Sequence, residues 1–161
     1  MKKLLLTVGA QMPFDRLVKA ADAWAGEHPE HRFLAQIGET EHRPVHARWT
    51  KFLMPDDFDR EFDQADVIVG HAGIGTLFAA MERGKPILVL PRESARRETR
   101  NDHQIATARA FEKYPGVFVA WTDGEVAPGL DELLQTGEAP ALPAEASESL
   151  IRRLADFVER A

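Results

Sequence analysis

Apolar residues along the chain fall into short, nearly continuous runs, separated by longer segments with a helical repeat. Runs at residues 2–8, 65–69 and 86–90 are each followed by a glycine or a proline, which is typical of strands buried on both faces of a sheet. Weaker runs predict further strands over residues 31–37, 48–54 and 117–121. The chain therefore predicts six strands.

Apolar residues spaced three and four apart predict the helices that join these strands. Such repeats cover residues 14–25, 56–63, 74–81, 101–114 and 150–158. Pro13 suits the first turn of the first helix, because proline lacks the N–H that a helix start leaves unpaired. Gly84 suits the residue that ends the helix over 74–81.

Strands that alternate with helices predict an α/β fold: a Rossmann-like open parallel sheet with helices on both faces. We expect one domain over residues 1–161, with its core at about 1–137 and a linker and C-terminal helix at about 138–161. Ligands of such sheets bind outside the carboxyl ends of the strands. Candidate chemistry should therefore lie in the loops that follow the strands.

Composition narrows the functional classes. With 161 residues, the chain has room for one domain, not for both lobes of a bilobal nucleotide-sugar enzyme. The net charge of −6 argues against nucleic-acid binding, which needs a clustered basic surface. The absence of cysteine excludes disulfides and thiolate chemistry, and no apolar run approaches the roughly 20 residues of a membrane span. We expect a cytoplasmic protein.

The loop after the strand at 65–69 is the most informative segment. Gly73, Ile74, Gly75 and Thr76 stand between that strand and the start of a helix, where free N–H groups and the helix dipole favour an anion. Neither the full dinucleotide pattern nor a lysine-containing phosphate loop is present. Two interpretations stay open: a phosphate site, or a tight turn that only needs glycine.

Polar side chains beside this loop have the same ambiguity. His71 precedes the glycines, where its ring either meets a diphosphate or bonds to nearby backbone. Asn101, Asp102, His103 and Gln104 begin a helix at the ligand edge. Four consecutive side chains of this kind suit a ligand with many hydroxyl groups, such as a sugar, although an Asn or Asp at a helix start, here Asn101 or Asp102, is more often a helix cap.

Four arginines in residues 92–100 form a basic cluster in an otherwise acidic chain. Such a cluster suits a diphosphate, a sugar carboxylate, an anionic lipid or a partner, whereas the alternative is a solvated, mobile surface loop. Arg92 is the best placed of the four, because it follows Pro91 at the end of a strand. No histidine or carboxylate spacing is that of a metal site, and no serine lies in a nucleophile elbow.

Five motifs at these loops resemble the stand-alone family equivalent to the C-terminal half of family 28 glycosyltransferases. The family includes the catalytic subunit of the split dolichol-pathway N-acetylglucosaminyltransferase and bacterial exopolysaccharide subunits. The motifs of the bacterial exopolysaccharide branch resemble those of this sequence most closely. The motifs are Thr7-Val8-Gly9 with Pro13-Phe14-Asp15-Arg16-Leu17-Val18, Gln36-Ile37-Gly38, Ala65-Asp66-Val67 with residues 71–76, Gly84-Lys85-Pro86 with Leu90-Pro91-Arg92, and Glu98 with residues 100–104.

The resemblance implies the donor-binding, C-terminal half of a GT-B glycosyltransferase that uses a UDP-sugar and needs no metal. The uracil would lie near the second glycine loop, the diphosphate over residues 73–76, and the sugar against residues 102–104. The implied donor-binding residues are Gly9, Gln36, Gly38, His71, Gly73, Ile74, Gly75, Thr76, Pro91, Arg92, Asn101, Asp102, His103 and Gln104. His71 is the catalytic candidate within the chain, unless a partner supplies the base.

Two departures from the family pattern concern the ribose and the diphosphate. Many relatives hold the ribose with a Glu where this chain has Ala79, so that Glu82 or a backbone group would have to replace it. Relatives also often carry a Thr where this chain has Ala10.

The resemblance leads to the hypothesis of an inverting transfer from a UDP-sugar to a polyprenyl-diphosphate-linked glycan in exopolysaccharide assembly. The expected partner is a membrane-anchored, acceptor-binding subunit, which would hold the protein at the cytoplasmic face of the inner membrane. The alternative is a non-catalytic subunit that binds a nucleotide sugar, and a dinucleotide oxidoreductase is a distant third. The donor sugar (glucuronic acid, glucose or N-acetylglucosamine), the acceptor and self-association in the absence of the partner stay open.

Overall fold

A computed structural model describes residues 1–142 together with Ser149, Arg152 and Asp156. The strands are β1 (Lys3–Thr7), β2 (Arg32–Gln36), β3 (Arg48–Thr50), β4 (Val67–His71), β5 (Ile87–Leu90) and β6 (Val117–Val119). The helices are α1 (Asp15–Glu27), α2 (Pro55–Gln64), α3 (Ile74–Glu82), α4 (His103–Phe111) and α5 (Val126–Thr136). No helix among the described residues is both long and apolar enough to span a membrane.

The six strands form one parallel sheet in the order β3-β2-β1-β4-β5-β6. Apolar residues of alternating strand positions divide between two cores, one on each face of the sheet. Helices α1 and α5 cover one face, and α2, α3 and α4 cover the other. The predicted Rossmann-like parallel sheet with helices on both faces is confirmed.

Strand order reverses between β1 and β4, the two central strands. The chain leaves β1 toward the face covered by α1 and leaves β4 toward the face covered by α3. The two loops therefore diverge above the sheet and leave a crevice between them. Open α/β sheets bind ligands at such a switch point.

Strand β4 is displaced from its predicted position at residues 65–69 by two residues. Asp66 precedes the strand, because its carboxylate accepts hydrogen bonds from the Lys3 backbone N–H (2.8 Å) and from the Lys2 ammonium (3.2 Å). At the other end, His71 pairs in register with Leu90 of β5. His71 is therefore the last residue of a strand, where a loop was predicted.

Strand β3 is shorter than the predicted 48–54. The Leu53 N–H turns away from the sheet edge and donates to the Gln36 side chain (2.8 Å), and Pro55 then begins α2. Strand β6 likewise ends at Val119, before the predicted 121, and α4 is shorter than the predicted 101–114.

Helix α5 is absent from the sequence prediction. It packs against α1 and β5 and buries Val126, Leu130 and Leu133, which a spacing of four and three residues would have indicated. The predicted apolar face of the C-terminal helix, formed by Leu150, Ile151, Leu154, Phe157 and Val158, lies outside the described residues, as does 143–148 of the predicted linker. The division of 1–161 into core and linker stays a prediction.

Candidate nucleotide-sugar site

A cavity of about 350 Å³ lies at the switch point between β1 and β4. Its walls come from the loop after β1, the end of β4 and the loop after β5. The lining residues are Val8, Gly9, Ala10, Gln11, Met12, His71, Arg92, Glu98, Thr99 and Gln104. Of the predicted site residues, the structure thus brings Gly9, His71, Arg92 and Gln104 together.

Two clefts of about 370 and 580 Å³ lie at the opposite, amino end of the strands. Their volumes exceed that of the switch-point cavity, but the helices that start at the carboxyl ends of the strands point their N-termini away from them. The smaller cavity is therefore the better candidate for an anionic ligand.

The ring of His71 is packed between two glycines. A Cβ atom added to Gly9 would lie 2.9 Å from His71 Cε1, and one added to Gly73 would overlap His71 Nε2. Gly9 also has a φ of +76°, which favours glycine. The two glycines therefore make room for the imidazole at the edge of the sheet, in addition to forming turns.

His71 is uncharged at neutral pH. Burial lowers its pKa to about 4, and the positive charge of Arg92 adds to this effect, which the backbone carbonyl of Thr7 opposes only weakly. Its Nδ1 atom is buried and has no hydrogen-bond partner of good geometry among the described residues. A nearby anion would relieve the unfavourable charged state and raise this pKa.

Helix α3 begins without a side-chain cap. Gly73 occupies the N-cap position in an extended conformation, and no side chain among the described residues bonds to the free N–H groups of the first turn. A Cβ atom on Gly75 would have nothing within 4 Å, so open space faces this turn. The backbone N–H groups of Ile74, Gly75 and Thr76 are thus free to bond an anion, and the phosphate-binding role of residues 73–76 stays a prediction.

Arg92 is not part of a solvated, mobile loop, which corrects that expectation. Its side chain lies under the loop, and only 4% of the residue is exposed. The guanidinium donates to the carbonyls of Val8 (2.7 Å), Met12 (2.8 Å), Pro13 (2.7 Å) and Glu98 (3.0 Å). These bonds occupy the group that was expected to clamp a diphosphate.

Burial lowers the pKa of Arg92 to about 10, although the Glu98 carboxylate favours the charged form. Arg92 therefore remains a cation at neutral pH. Its charge contributes to the potential of the cavity, even though its hydrogen-bond donors face inward.

Gln36 also differs from the expected direct contact with the donor. The side chain is buried, its amide nitrogen donates to Thr7 Oγ1 (3.1 Å), and its oxygen accepts from the Leu53 N–H (2.8 Å). Gln36 thus joins the ends of β1 and β2 to the segment before α2 instead of facing a ligand. Gly38 has a φ of +54° and lies against Val8, so that its turn stands beside the loop of Gly9.

The four polar residues at the start of α4 do not all face the ligand edge, because three of their side chains bond to nearby backbone N–H groups. The Asn101 side chain accepts from the His103 N–H (3.3 Å), and Asp102 is the N-cap residue but accepts from the Ser94 N–H instead (2.8 Å). That bond lowers the pKa of the exposed Asp102 carboxyl. Gln104 accepts from the Arg92 N–H (3.1 Å), while Pro91 is buried.

Glu82 is too far from the site to replace the ribose-binding Glu of relatives. Helix α3 runs away from the ligand edge, and Glu82 is its last residue, roughly 12 Å below Ile74 at 1.5 Å per residue. Ala79 is partly buried against the core. The Glu82 alternative is therefore wrong.

Sequence reasoning assigned no role to Arg16 or Glu98, although both lie in its motifs. The structure joins them in an ion pair across the loops, with Arg16 Nη2 2.8 Å from Glu98 Oε2. The signal that could have predicted this ion pair was the presence, within the motifs, of two residues of opposite charge to which no ligand had been assigned.

Comparison with known proteins identifies the family of the chain. The sequence model of the glycosyltransferase family 28 C-terminal domain matches residues 3–160. The UDP-N-acetylglucosamine transferase subunit ALG13 of Mus musculus is 28% identical over 130 residues, covering 73% of this chain and 10% of the relative. The chain thus spans about a tenth of the length of this relative.

Solved structures share the fold. The solution structure of ALG13 has a TM-score of 0.65 at 20% identity, covering 98% of this chain and 97% of that one. The kitacinnamycin glycotransferase has a TM-score of 0.64 at 21% identity, covering 99% of this chain and 43% of that one. The predicted equivalence to one half of a GT-B enzyme is confirmed, and the chain belongs to the glycosyltransferase family 28 C-terminal domain family.

Proposed function

We propose that the protein is the catalytic, donor-binding subunit of a two-component inverting glycosyltransferase. It transfers a sugar from a UDP-sugar to a polyprenyl-diphosphate-linked acceptor in exopolysaccharide biosynthesis. The observation that carries the proposal is the uncapped N-terminus of α3 beside the buried, neutral His71 at the switch point. These groups suit a diphosphate, and the ALG13 relative carries the name of a UDP-N-acetylglucosamine transferase subunit.

In this proposal the diphosphate lies over residues 73–76, where backbone N–H groups and the helix dipole stabilise the charge that develops on the leaving UDP. The uracil lies near Gly38, and the sugar faces residues 102–104. Metal independence is part of the proposal, since the helix dipole supplies the positive field.

His71 fits the diphosphate better than it fits the acceptor. A pKa of about 4 makes the unliganded imidazole a weak base at neutral pH. A bound anion raises the pKa of the ring, and the imidazolium then has an N–H to donate to a phosphate oxygen in addition to the one that faces the Thr7 carbonyl. The base for the acceptor hydroxyl then belongs to the membrane-anchored partner, which would hold this subunit at the cytoplasmic face of the inner membrane.

Isothermal titration with UDP, UDP-glucose, UDP-glucuronic acid and UDP-N-acetylglucosamine tests the donor site. We expect binding of UDP and of one UDP-sugar, without added divalent metal and with the partner subunit present. No binding of any of these ligands would refute the proposal.

The low pKa of His71 and the alanine at position 79 favour a second candidate, a non-catalytic subunit that binds a nucleotide sugar. Sugar transfer by the complex reconstituted with its membrane subunit separates the two. His71→Ala should lower transfer about tenfold through weaker diphosphate binding, and full activity of this variant would remove His71 from the site.

A further inference from the structure

A bidentate ion pair between Arg16 and Glu98 holds the loop after β5. Arg16, in the first turn of α1, donates from Nε to Glu98 Oε1 (2.9 Å) and from Nη2 to Glu98 Oε2 (2.8 Å). The side chains are 10% and 12% exposed. In every other ion pair among the described residues, at least one partner is more than a quarter exposed. Such a pair is shielded from solvent and fixed in geometry.

Both members of the pair also hold the backbone of the loop. Arg16 Nη2 donates to the Pro91 carbonyl (3.1 Å), and Glu98 Oε2 accepts from the Glu93 N–H (3.0 Å). Arg92 bonds the Glu98 carbonyl and the Pro13 carbonyl, which joins the same loop to the start of α1. The loop is therefore fastened at three positions, 91, 93 and 98.

The guanidinium groups of Arg16 and Arg92 both pack against the ring of Phe14. The ring is fully buried, with Arg92 Cζ 4.5 Å and Arg16 Cζ 5.6 Å from its centroid. Burial disfavours the charge of Arg16, but Glu98 and Glu93 outweigh this cost and raise its pKa. Both cations are thus fixed by packing as well as by hydrogen bonds.

The fastened loop carries the polar groups at the start of α4. The Ser94 N–H donates to Asp102 Oδ1, and the Arg92 N–H donates to Gln104 Oε1. A shift of residues 92–94 would therefore shift two side chains that the proposed function directs toward the sugar. Among the described residues, neither Asp102 nor Gln104 bonds directly to Arg16 or Glu98, so any influence of the ion pair on them passes through this loop.

We propose that Arg16 and Glu98 are positioning residues for the donor sugar: their ion pair fixes the loop at 91–98 and so sets the placement of Asp102 and Gln104. The inference rests on the proposed UDP-sugar site. It means that the pair governs the affinity added by the sugar more than the affinity for UDP.

The test compares the dissociation constants of UDP and of the tightest-binding UDP-sugar, by isothermal titration with the partner subunit present. The variants are Arg16→Lys, which keeps the charge but loses the fork, and Glu98→Gln, which keeps an acceptor for the Glu93 N–H. The control is Arg83→Lys. Arg83 also bonds two carboxylates and lies 5.1 Å from the Phe62 ring centroid, but at the far end of α3.

We expect the ratio of the UDP constant to the UDP-sugar constant to fall at least about fivefold in Arg16→Lys and Glu98→Gln, and to stay within about twofold in Arg83→Lys. A purely structural role would weaken both ligands alike and leave the ratio unchanged. An unchanged ratio, or an equal change in Arg83→Lys, overturns the inference while the proposed function stands. If the unmodified protein binds no UDP-sugar, the proposed function itself fails.

Discussion

Two loops meet at the same edge of the sheet, and they treat their polar groups in opposite ways. The loop from β4 to α3 leaves its donors unused: within the described part of the chain, the start of α3 has no side-chain cap, and the buried His71 Nδ1 has no hydrogen-bond partner of good geometry. The loop from β5 to α4 carries more charge, yet its buried Arg92 donates to four backbone carbonyls, and its Glu98 carboxylate accepts from Arg16. The open start of α3 is therefore where an anion can bind, and the bonded Arg92 and Glu98 hold the adjoining loop in place.

The largest expected effect is on stability, in the satisfied loop. Arg92→Met leaves four backbone carbonyls without their donor, so we expect a loss of about 4 kcal/mol in the free energy of unfolding. Urea denaturation measures it. The control is Arg109→Met, which removes a surface arginine 5.9 Å from the Trp121 ring and should cost about 1 kcal/mol or less. Equal losses in both variants would contradict the buried role of Arg92.

The next effect is on binding, in the unsatisfied loop. Gly75→Val directs a side chain into the open space over α3, so we expect UDP affinity to fall about 100-fold with little loss of stability. Titration with UDP measures it. Gln135→Val places the same side chain on the exposed face of α5 and should bind UDP normally. Unchanged UDP affinity in Gly75→Val would exclude this loop from the site.

The free energy of unfolding should also depend on pH through His71, which precedes the loop from β4 to α3. The folded pKa of His71, about 4, lies below its usual value of 6.5, so the unfolded chain binds this proton first as the pH falls. The contribution of His71 to stability is complete above pH 6.5 and is lost as the pH falls toward 4. Between pH 7.5 and 5.0 it should amount to about 2 kcal/mol.

His71→Asn removes the titrating ring and should lose correspondingly less stability over this interval. Urea denaturation of both proteins at the two pH values provides the comparison. Parallel losses would show that His71 is not the group that titrates.

The smallest effect concerns Asp102, which is exposed and whose carboxylate accepts from the Ser94 N–H. Asp102→Asn keeps the geometry but weakens this charge-assisted bond, so we expect affinity for the UDP-sugar to fall about threefold and affinity for UDP to stay the same. Titration of both ligands measures the difference, and an equal change for both would place Asp102 away from the sugar.

Local pattern was sufficient to predict the parallel sheet, since continuous apolar runs alternate with helical repeats along the chain. The glycine loop was also predictable, because Gly73 and Gly75 stand directly between a strand and a helix. Strand ends were less accurate: β4 starts after Asp66 because that carboxylate bonds the Lys3 N–H, and this contact links residues more than sixty positions apart.

The role of Arg92 was beyond sequence reasoning for a related reason. Four arginines close together resemble a solvated basic loop, and their spacing contains nothing to indicate that one of them turns inward. Its partners are carbonyl oxygens of residues 8, 12, 13 and 98, which every residue type provides. Backbone acceptors leave no trace in the sequence, so a buried arginine that binds them is visible only in the folded structure.

The pairing of β1 with β4 has a consequence for the order of folding. β1 is made first, but its neighbour β4 follows about sixty residues later, and His71 can be enclosed only when the loops of Gly9 and Gly73 have met. Closing so long a segment is slow, which makes this junction a late step. Under the proposed function, a partly folded chain would therefore lack the nucleotide site, and UDP would stabilise only the completed fold.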